Sequence, residues 1–239
     1  MKISVLCPTR KRPENMYRLT KSIYDTSAIP EDIEIIFYID QDDLESIFMF
    51  NELVKIYNTV KYVSGERIVL SQMWNECWKM AEGEIYFHCG DDIVMKTQGW
   101  DTHVVDKFGQ YEDHIMFVHG NDLYHHFPGF GTHGFIHKNW TDTVGYFVPP
   151  YFSSDYNDTW LNEVSDKIMR HFYVPIITEH MHFVVNKSEI DETHRDRLIR
   201  HRKDNVEELY RSLHEERARD AQKLQDFIDS FDDKGEDNE

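Results

Sequence analysis

Short apolar runs punctuate this chain at regular intervals. Residues 3–7, 33–39, 60–63 and 85–89 are rich in Ile, Val, Phe and Tyr. Runs of this length and type read as strands buried on both faces. Between them the period changes to that of a helix. Residues 14–26 place Met16, Leu19 and Ile23 on one face, and residues 44–57 form a second such segment. Residues 71–81 turn Met73, Trp74, Cys77 and Met80 inward, and Gly83 stops them. Strands alternating with helices of ten to fifteen residues predict βαβ units and a mainly parallel sheet.

The second half is less regular. A helix is expected over 98–108 and a strand over 115–119. Residues 120–134 hold glycines, histidines and aromatics without period, which reads as a functional loop. Its histidines, His125, His126 and His133, lack metal-type spacing and no cysteine joins them, which argues against a zinc site. A strand over 135–137, a short helix over 139–144 and the break at Pro149-Pro150 follow. Ser153-Ser154-Asp155 then starts a helix reaching about residue 170. Residues 173–177 and 182–185 read as two strands joined through 178–181. Residues 192–231 read as one or two helices with Leu198, Val206, Leu209, Leu213, Leu224 and Ile228 as the apolar stripe. That stripe predicts packing on the sheet domain or on a second copy, as a homodimer. Residues 232–239 read as a disordered acidic tail.

Composition narrows the class. The 239 residues are 40% hydrophobic and 14% aromatic, enough for a substantial core. The formal net charge of −18 gives no general attraction for nucleic acid or an anionic membrane. No apolar run is long enough to cross a bilayer. The chain goes from Met1-Lys2 directly into a strand, so no signal peptide is expected. Cys7, Cys77 and Cys89 read as buried reduced thiols, and the expected location is cytoplasmic.

The chemistry clusters where strands end. Residues 85–89 run into Gly90-Asp91-Asp92, and 33–39 run into Asp40. Both place carboxylates at the carboxyl edge of the sheet, where open α/β sheets bind ligands. Carboxylate oxygens suit Mg²⁺ or Mn²⁺, which in turn hold phosphates. The first strand ends in Pro8-Thr9-Arg10-Lys11-Arg12-Pro13, three cations before a helix N-terminus and so a candidate anion site.

This ordered set resembles a GT-A-fold glycosyltransferase, a Rossmann-like mixed α/β fold, and within it the family 2-like, inverting, nucleotide-sugar-dependent group. The residues that carry the resemblance are Pro8-Thr9-Arg10-x-Arg12-Pro13, Asp40, Asn75 in the third helix, and Gly90-Asp91-Asp92. Ser154-Asp155 resembles the acidic catalytic turn of that family. His180-Met181-His182 followed by Asp191-Glu192-Thr193 resembles its late His and Asp-x-Thr segment. The resemblance spans about residues 1–195. It implies a nucleotide-sugar-binding half over 1–95, an acceptor half over 96–195 and a C-terminal helical extension over 196–231.

Residue by residue, the resemblance implies that Pro8, Thr9, Arg10 and Arg12 line the nucleotide pocket, with Asn75 in the same set. Asp40 would accept a hydrogen bond from the base, uracil. Asp92 would hold the metal, Mn²⁺ or Mg²⁺, and Asp91 the ribose or sugar, or a share of the metal. His182 would be a further metal ligand or a diphosphate contact. Asp155 would be the catalytic base, with Asp158 as the alternative. Tyr124, Phe127, Phe130, Tyr151, Phe152 and Trp160 would stack on the acceptor. The donor is expected to be a UDP-sugar, and the acceptor a glycan or a modified nucleobase such as a hydroxymethylated base of phage DNA. The basic residues Arg195, Arg197, Arg200, Arg202 and Lys203 could meet phosphates there. Cys89-Gly90 stands where the family has the first Asp of its acidic motif, and Ser154 where it often has Glu. A nucleotidyltransferase or a non-catalytic nucleotide-sugar-binding module are the rival readings. The first is disfavoured by the absence of glycine from the Pro8–Pro13 loop, the second by the intact acids.

Overall fold

A computed structural model describes residues 1–125 and 129–236. Phe127 and the last three residues, to which the acceptor and tail expectations extend, lie outside the described residues. The elements in chain order are β1 (Ile3–Thr9), α1 (Pro13–Thr26), β2 (Ile33–Asp40), α2 (Leu44–Leu53), β3 (Val60–Gly65), α3 (Leu70–Lys79), β4 (Ile85–His88), β5 (Ile93–Met95), α4 (Trp100–Phe108), β6 (Phe117–Asn121), β7 (Gly134–His137), α5 (Lys138–Val144), α6 (Asn157–Lys167), β8 (His171–His180), α7 (Glu192–Lys203), α8 (Val206–Ser212) and α9 (His214–Glu236).

The strands form one mixed sheet in the order β3-β2-β1-β4-β7-β6-β8-β5. β3, β2, β1 and β4 run parallel, as the first half of the sequence predicts. β7 returns antiparallel against β4, and β6 and β8 run parallel beyond it. Every residue of β1 and β2 is buried, because helices cover both faces. Alternate side chains feed two cores. Val5, Cys7, Phe37 and Phe87 pack under α1 and α4. Leu6, Ile36, Tyr38 and Tyr86 pack under α3, α5 and the C-terminal helices. The three cysteines are buried and free. Among the described residues no helix is long and apolar enough to cross a membrane.

Several expected elements differ. β5 is too short to read from sequence; it exists because Ile93 pairs with His180. The two strands expected over 173–185 are one strand, β8, followed by a 3-10 turn at Phe183–Val185. Met80 is 42% exposed rather than inward, because α3 ends at Lys79. The C-terminal segment is three helices. Val206, Leu224 and Ile228 are buried against the core under α5 and α6, whereas Leu198 is exposed. The stripe that could have met a second copy is thus covered within the same chain. α9 also runs on to Glu236, so the acidic stretch begins inside a helix rather than in a disordered tail.

Candidate active site

A cavity of about 240 Å³ opens at the carboxyl edge of β1 and β4. Strand register builds its floor. β1 and β4 pair Leu6 with His88, so three residues on, Thr9 falls beside Asp91, and its hydroxyl donates to Asp91 Oδ2 at 2.8 Å. β1 and β2 pair Thr9 with Ile39, so Arg10 falls beside Asp40 and donates to its Oδ2 at 2.5 Å. Arg10 also forks onto Asp42. Asp40 is buried, its Oδ1 has no hydrogen-bond partner among the described residues, and burial raises its pKa against the pull of Arg10.

Arg12 links three parts of the wall. It donates to Asp91 Oδ1 at 3.0 Å and forks onto Asp191, the N-cap of α7, at 2.6 and 2.9 Å. Burial works against the charge of this guanidinium, and Asp91 and Asp191 more than offset it. For Asp91, burial and the neighbouring Asp92 charge outweigh Arg12 and raise the pKa.

Asp92 belongs to a different group. His180 Nε2 lies 3.2 Å from Asp92 Oδ2, because the pairing of Ile93 with His180 aligns the ends of β5 and β8. His133 comes from the far side. β7 pairs Gly134 with His88, so residue 133 falls just past the end of β4. Gly90 makes room: a Cβ there would lie 2.7 Å from Asp92 Oδ1 and 3.3 Å from His133 Cε1. One ligand atom from each of Asp92, His133 and His180 lies within 4.8 Å of the others. Both ring nitrogens of His133 and Nδ1 of His180 are buried without a hydrogen-bond partner among the described residues. Burial keeps His133 neutral, leaving a lone pair for a cation. Burial opposes ionisation of Asp92, but His180 overrides it and holds the carboxyl well below the usual range. A carboxylate beside two imidazole rings offers the mixed oxygen and nitrogen donors that suit a divalent transition-metal cation such as Mn²⁺.

His182, expected as a ligand, is not in this group. Its Nδ1 accepts from Val184 N in the 3-10 turn, and its ring stacks on Tyr124 and Phe183. The side chain that reaches Asp92 is two residues earlier, at the end of β8. Of the loop histidines among the described residues only His133 joins this group, and it meets His180 through sheet pairing rather than through spacing along the chain. Asn75 also moves out of the site. It donates to the carbonyls of Ser71 and Val148 and accepts from Phe147 N, tying α3 to residues 147–148.

The opposite wall is the start of α6. Asp155 does not cap that helix; Tyr156, at φ 74°, is its N-cap. The Asp155 carboxylate is held instead by Arg197, with Nε at 2.7 Å, and by His201 Nδ1 at 2.6 Å. Asp158 lines the cavity with one oxygen bonded, Oδ1 accepting from Thr159 N at 2.8 Å. Burial and the Asp155 charge raise the pKa of Asp158. α7 closes the site from above, contributing Thr193, His194, Arg197 and Arg200 to the lining. Of the expected stacking aromatics, Phe152 and Trp160 are core residues, while Tyr124 stacks on His182 and Phe130 packs near His125.

No family model and no curated protein sequence matches this chain. Solved structures do. A mannosyltransferase from Pyrobaculum calidifontis, solved with GDP-Man and Mn²⁺, aligns over 75% of this chain and 56% of its own with a TM-score of 0.61 and 12% identity. TarS of S. aureus, residues 1–349 solved with UDP, aligns over 75% of this chain and 57% of its own at 0.56 and 14% identity. The same protein with UDP-GlcNAc aligns at 0.56 and 13% identity, over 75% and 56%. The chain spans a little over half the length of the solved chains it matches. With its strand order, edge acids and likeness to these nucleotide-sugar-bound structures, the chain has the GT-A glycosyltransferase fold.

Proposed function

We propose that this protein transfers a sugar from a nucleotide diphosphate donor, UDP-linked, to a hydroxyl of a glycan acceptor, with inversion and with help from a divalent cation. The observation that carries the proposal is the convergence of Thr9, Arg12, Asp91, Asp92, His180 and Asp158 on one cavity at the carboxyl edge of the sheet. The GDP-Man, UDP and UDP-GlcNAc bound by the structural neighbours support the donor class.

In this reading Asp40 uses its unpartnered Oδ1 to accept an N–H of the base, and Arg10 fixes that carboxylate. Asp92, His133 and His180 would hold the cation, which when bound supplies charge to offset that developing on the leaving diphosphate. Arg12 and Arg200 add fixed positive charge near the same group. Asp158 removes the acceptor proton as the hydroxyl attacks. We assign that role to Asp158 rather than Asp155, since Arg197 and His201 already hold both oxygens of Asp155. Asp158 has a raised proton affinity and an oxygen with room for a substrate.

The test is calorimetry of the full chain with UDP and with GDP, in Mn²⁺ and after chelation. UDP should bind in Mn²⁺ and lose most of its affinity on chelation, and Asp92→Ala should bind weakly in either condition. A chain that binds neither nucleotide, with or without metal, would refute the proposal.

A further inference from the structure

Three uncharged side chains in the cavity wall are buried and incompletely bonded. Both ring nitrogens of His88, Oγ of Ser154 and Oδ1 of Asn157 have no hydrogen-bond partner among the described residues. Their residues are 3%, 2% and 2% exposed, and all three line the cavity. The Thr132 backbone lies near the His88 ring but not in hydrogen-bond geometry. Burial lowers the pKa of His88 to about 3, so its ring is neutral and offers one donor and one acceptor. Buried polar groups left without partners destabilise a fold, and their concentration on one wall marks a place where a ligand supplies the missing bonds.

The ligand chemistry follows from what surrounds them. His88 ends β4 with its ring 4.1 Å from that of Trp74, which gives the pocket an apolar wall. On one side His88 neighbours His133 of the Asp92 cluster, with ring centroids 6.2 Å apart. Ser154 and Asn157 stand on the other side, within the stretch that carries Asp155 and Asp158. The wall thus lies between the group that would hold the leaving diphosphate and the group that would take the acceptor proton. A ligand carboxylate placed there would meet Asp158, which no cation pairs among the described residues, whereas the charge of Asp155 is already matched by Arg197 and His201. A pyranose meets all the conditions: several hydroxyls that both donate and accept, one apolar ring face, and no charge.

Resting on the sugar-transfer reading above, we propose that His88, Ser154 and Asn157 form the subsite for the transferred sugar and select an uncharged hexose over a uronate. The experiment compares each sugar nucleotide with its own nucleotide. The full chain in Mn²⁺ is titrated with UDP, GDP, UDP-glucose, UDP-N-acetylglucosamine, GDP-mannose and UDP-glucuronate, for the native chain and for His88→Phe, His88→Gln, Ser154→Ala and Asn157→Ala. At least one neutral sugar nucleotide should bind more tightly than its nucleotide, and UDP-glucuronate should not. Losing one hydrogen bond should cut that advantage about 3- to 10-fold, with nucleotide affinity within about twofold of native. His88→Gln, which keeps a donor and an acceptor, should retain part of the advantage. Free His88→Phe should melt no lower than the native chain, since an unpartnered polar group is gone; a structural histidine would show the opposite. A native chain that binds every sugar nucleotide no tighter than its nucleotide overturns the proposal. So does UDP-glucuronate binding as well as UDP-glucose, or an unchanged advantage in His88→Gln and Asn157→Ala. Absence of nucleotide binding overturns the sugar-transfer reading itself and is reported separately by the UDP and GDP titrations.

Discussion

Replacing Asp158 by Asn separates its chemical role from its structural one. The substitution keeps size and shape, and the amide oxygen can still accept from Thr159 N at 2.8 Å. What it removes is a carboxylate whose pKa is raised by burial and by the Asp155 charge. The stability sign follows from that direction. A raised pKa in the folded state means that the ionised form is disfavoured by folding. The native chain keeps the full benefit of a neutral Asp158 only below the ordinary carboxylate range, about 3.9, and loses it as pH rises through the folded value. At pH 7 the Asn variant should therefore be at least as stable as the native chain. That difference should shrink as pH falls through the folded value and be gone below about 4. Turnover should drop roughly 10²–10⁴-fold, the usual worth of a positioned base. The acid limb of the native kcat/KM profile should lie above the about 3.9 of a free aspartate and vanish in the variant. Asp155→Asn is the comparison. It weakens charge-assisted bonds to Arg197 and His201, each worth about 1.5–3 kcal/mol, and should loosen α7 and raise KM more than it lowers kcat. The assays are release of nucleotide diphosphate from a sugar nucleotide across pH, and melting of each variant at pH 4 and pH 7. An Asp158→Asn variant with native turnover, beside an Asp155→Asn variant whose kcat collapses at unchanged KM, would refute the assignment.

Two further predictions concern the metal cluster and the C-terminus. His180→Ala and His133→Ala should each weaken Mn²⁺ binding by more than about 100-fold, beyond the roughly 10- to 100-fold loss typical of residues behind the ligands, while His182→Ala should leave it within about twofold; electron paramagnetic resonance titration of Mn²⁺ measures all three. A chain ending at Glu236 should melt within about one degree of the native protein, since the last few residues of a chain generally carry little packing energy. One ending at Lys203 exposes the core that buried Val206, Leu224 and Ile228 cover, each worth about 1.5–3 kcal/mol, and should not show a cooperative melt at 37 °C.

The half of the site that sequence reached is the half built by parallel strands in chain order. Thr9, Arg10, Asp40 and Asp91 each follow an apolar run, and an apolar run that ends in a polar residue fixes where that residue lies on the sheet edge. The half it missed depends on pairings between distant strands. His133 and His180 meet Asp92 through the β4–β7 and β5–β8 registers, and β5 itself has only three residues. The signal available for His133 was local: it stands between Gly131 and Gly134, where a Cβ on Gly134 would lie 2.3 Å from the Phe117 ring. Such glycines mark close packing around the intervening residue, which is how a core position differs from an exposed histidine. Asn75 misled for the opposite reason. A polar residue inside an amphipathic helix has the same appearance whether it faces a ligand or a neighbouring backbone.

α7 bears on the acceptor. Read alone, the cations of 195–203 look like a face for phosphates. In the structure Arg197 is bonded to Asp155, and Arg195 donates to the carbonyl of Ile190. Around them Asp191 meets Arg12, Glu192 meets Lys11 and Asp196 meets Arg67. Most of these contacts tie α7 to the loop after β1 and to the start of α6, while Arg195, Arg202 and Lys203 are exposed. Being poor in apolar residues, α7 depends on these polar contacts to stay over the cavity. The same charges cannot hold the cover closed and grip a polyanion outside it. With a net charge of −18 on the whole chain, these contacts weigh against a nucleic acid laid along α7 and are consistent with the glycan acceptor proposed above.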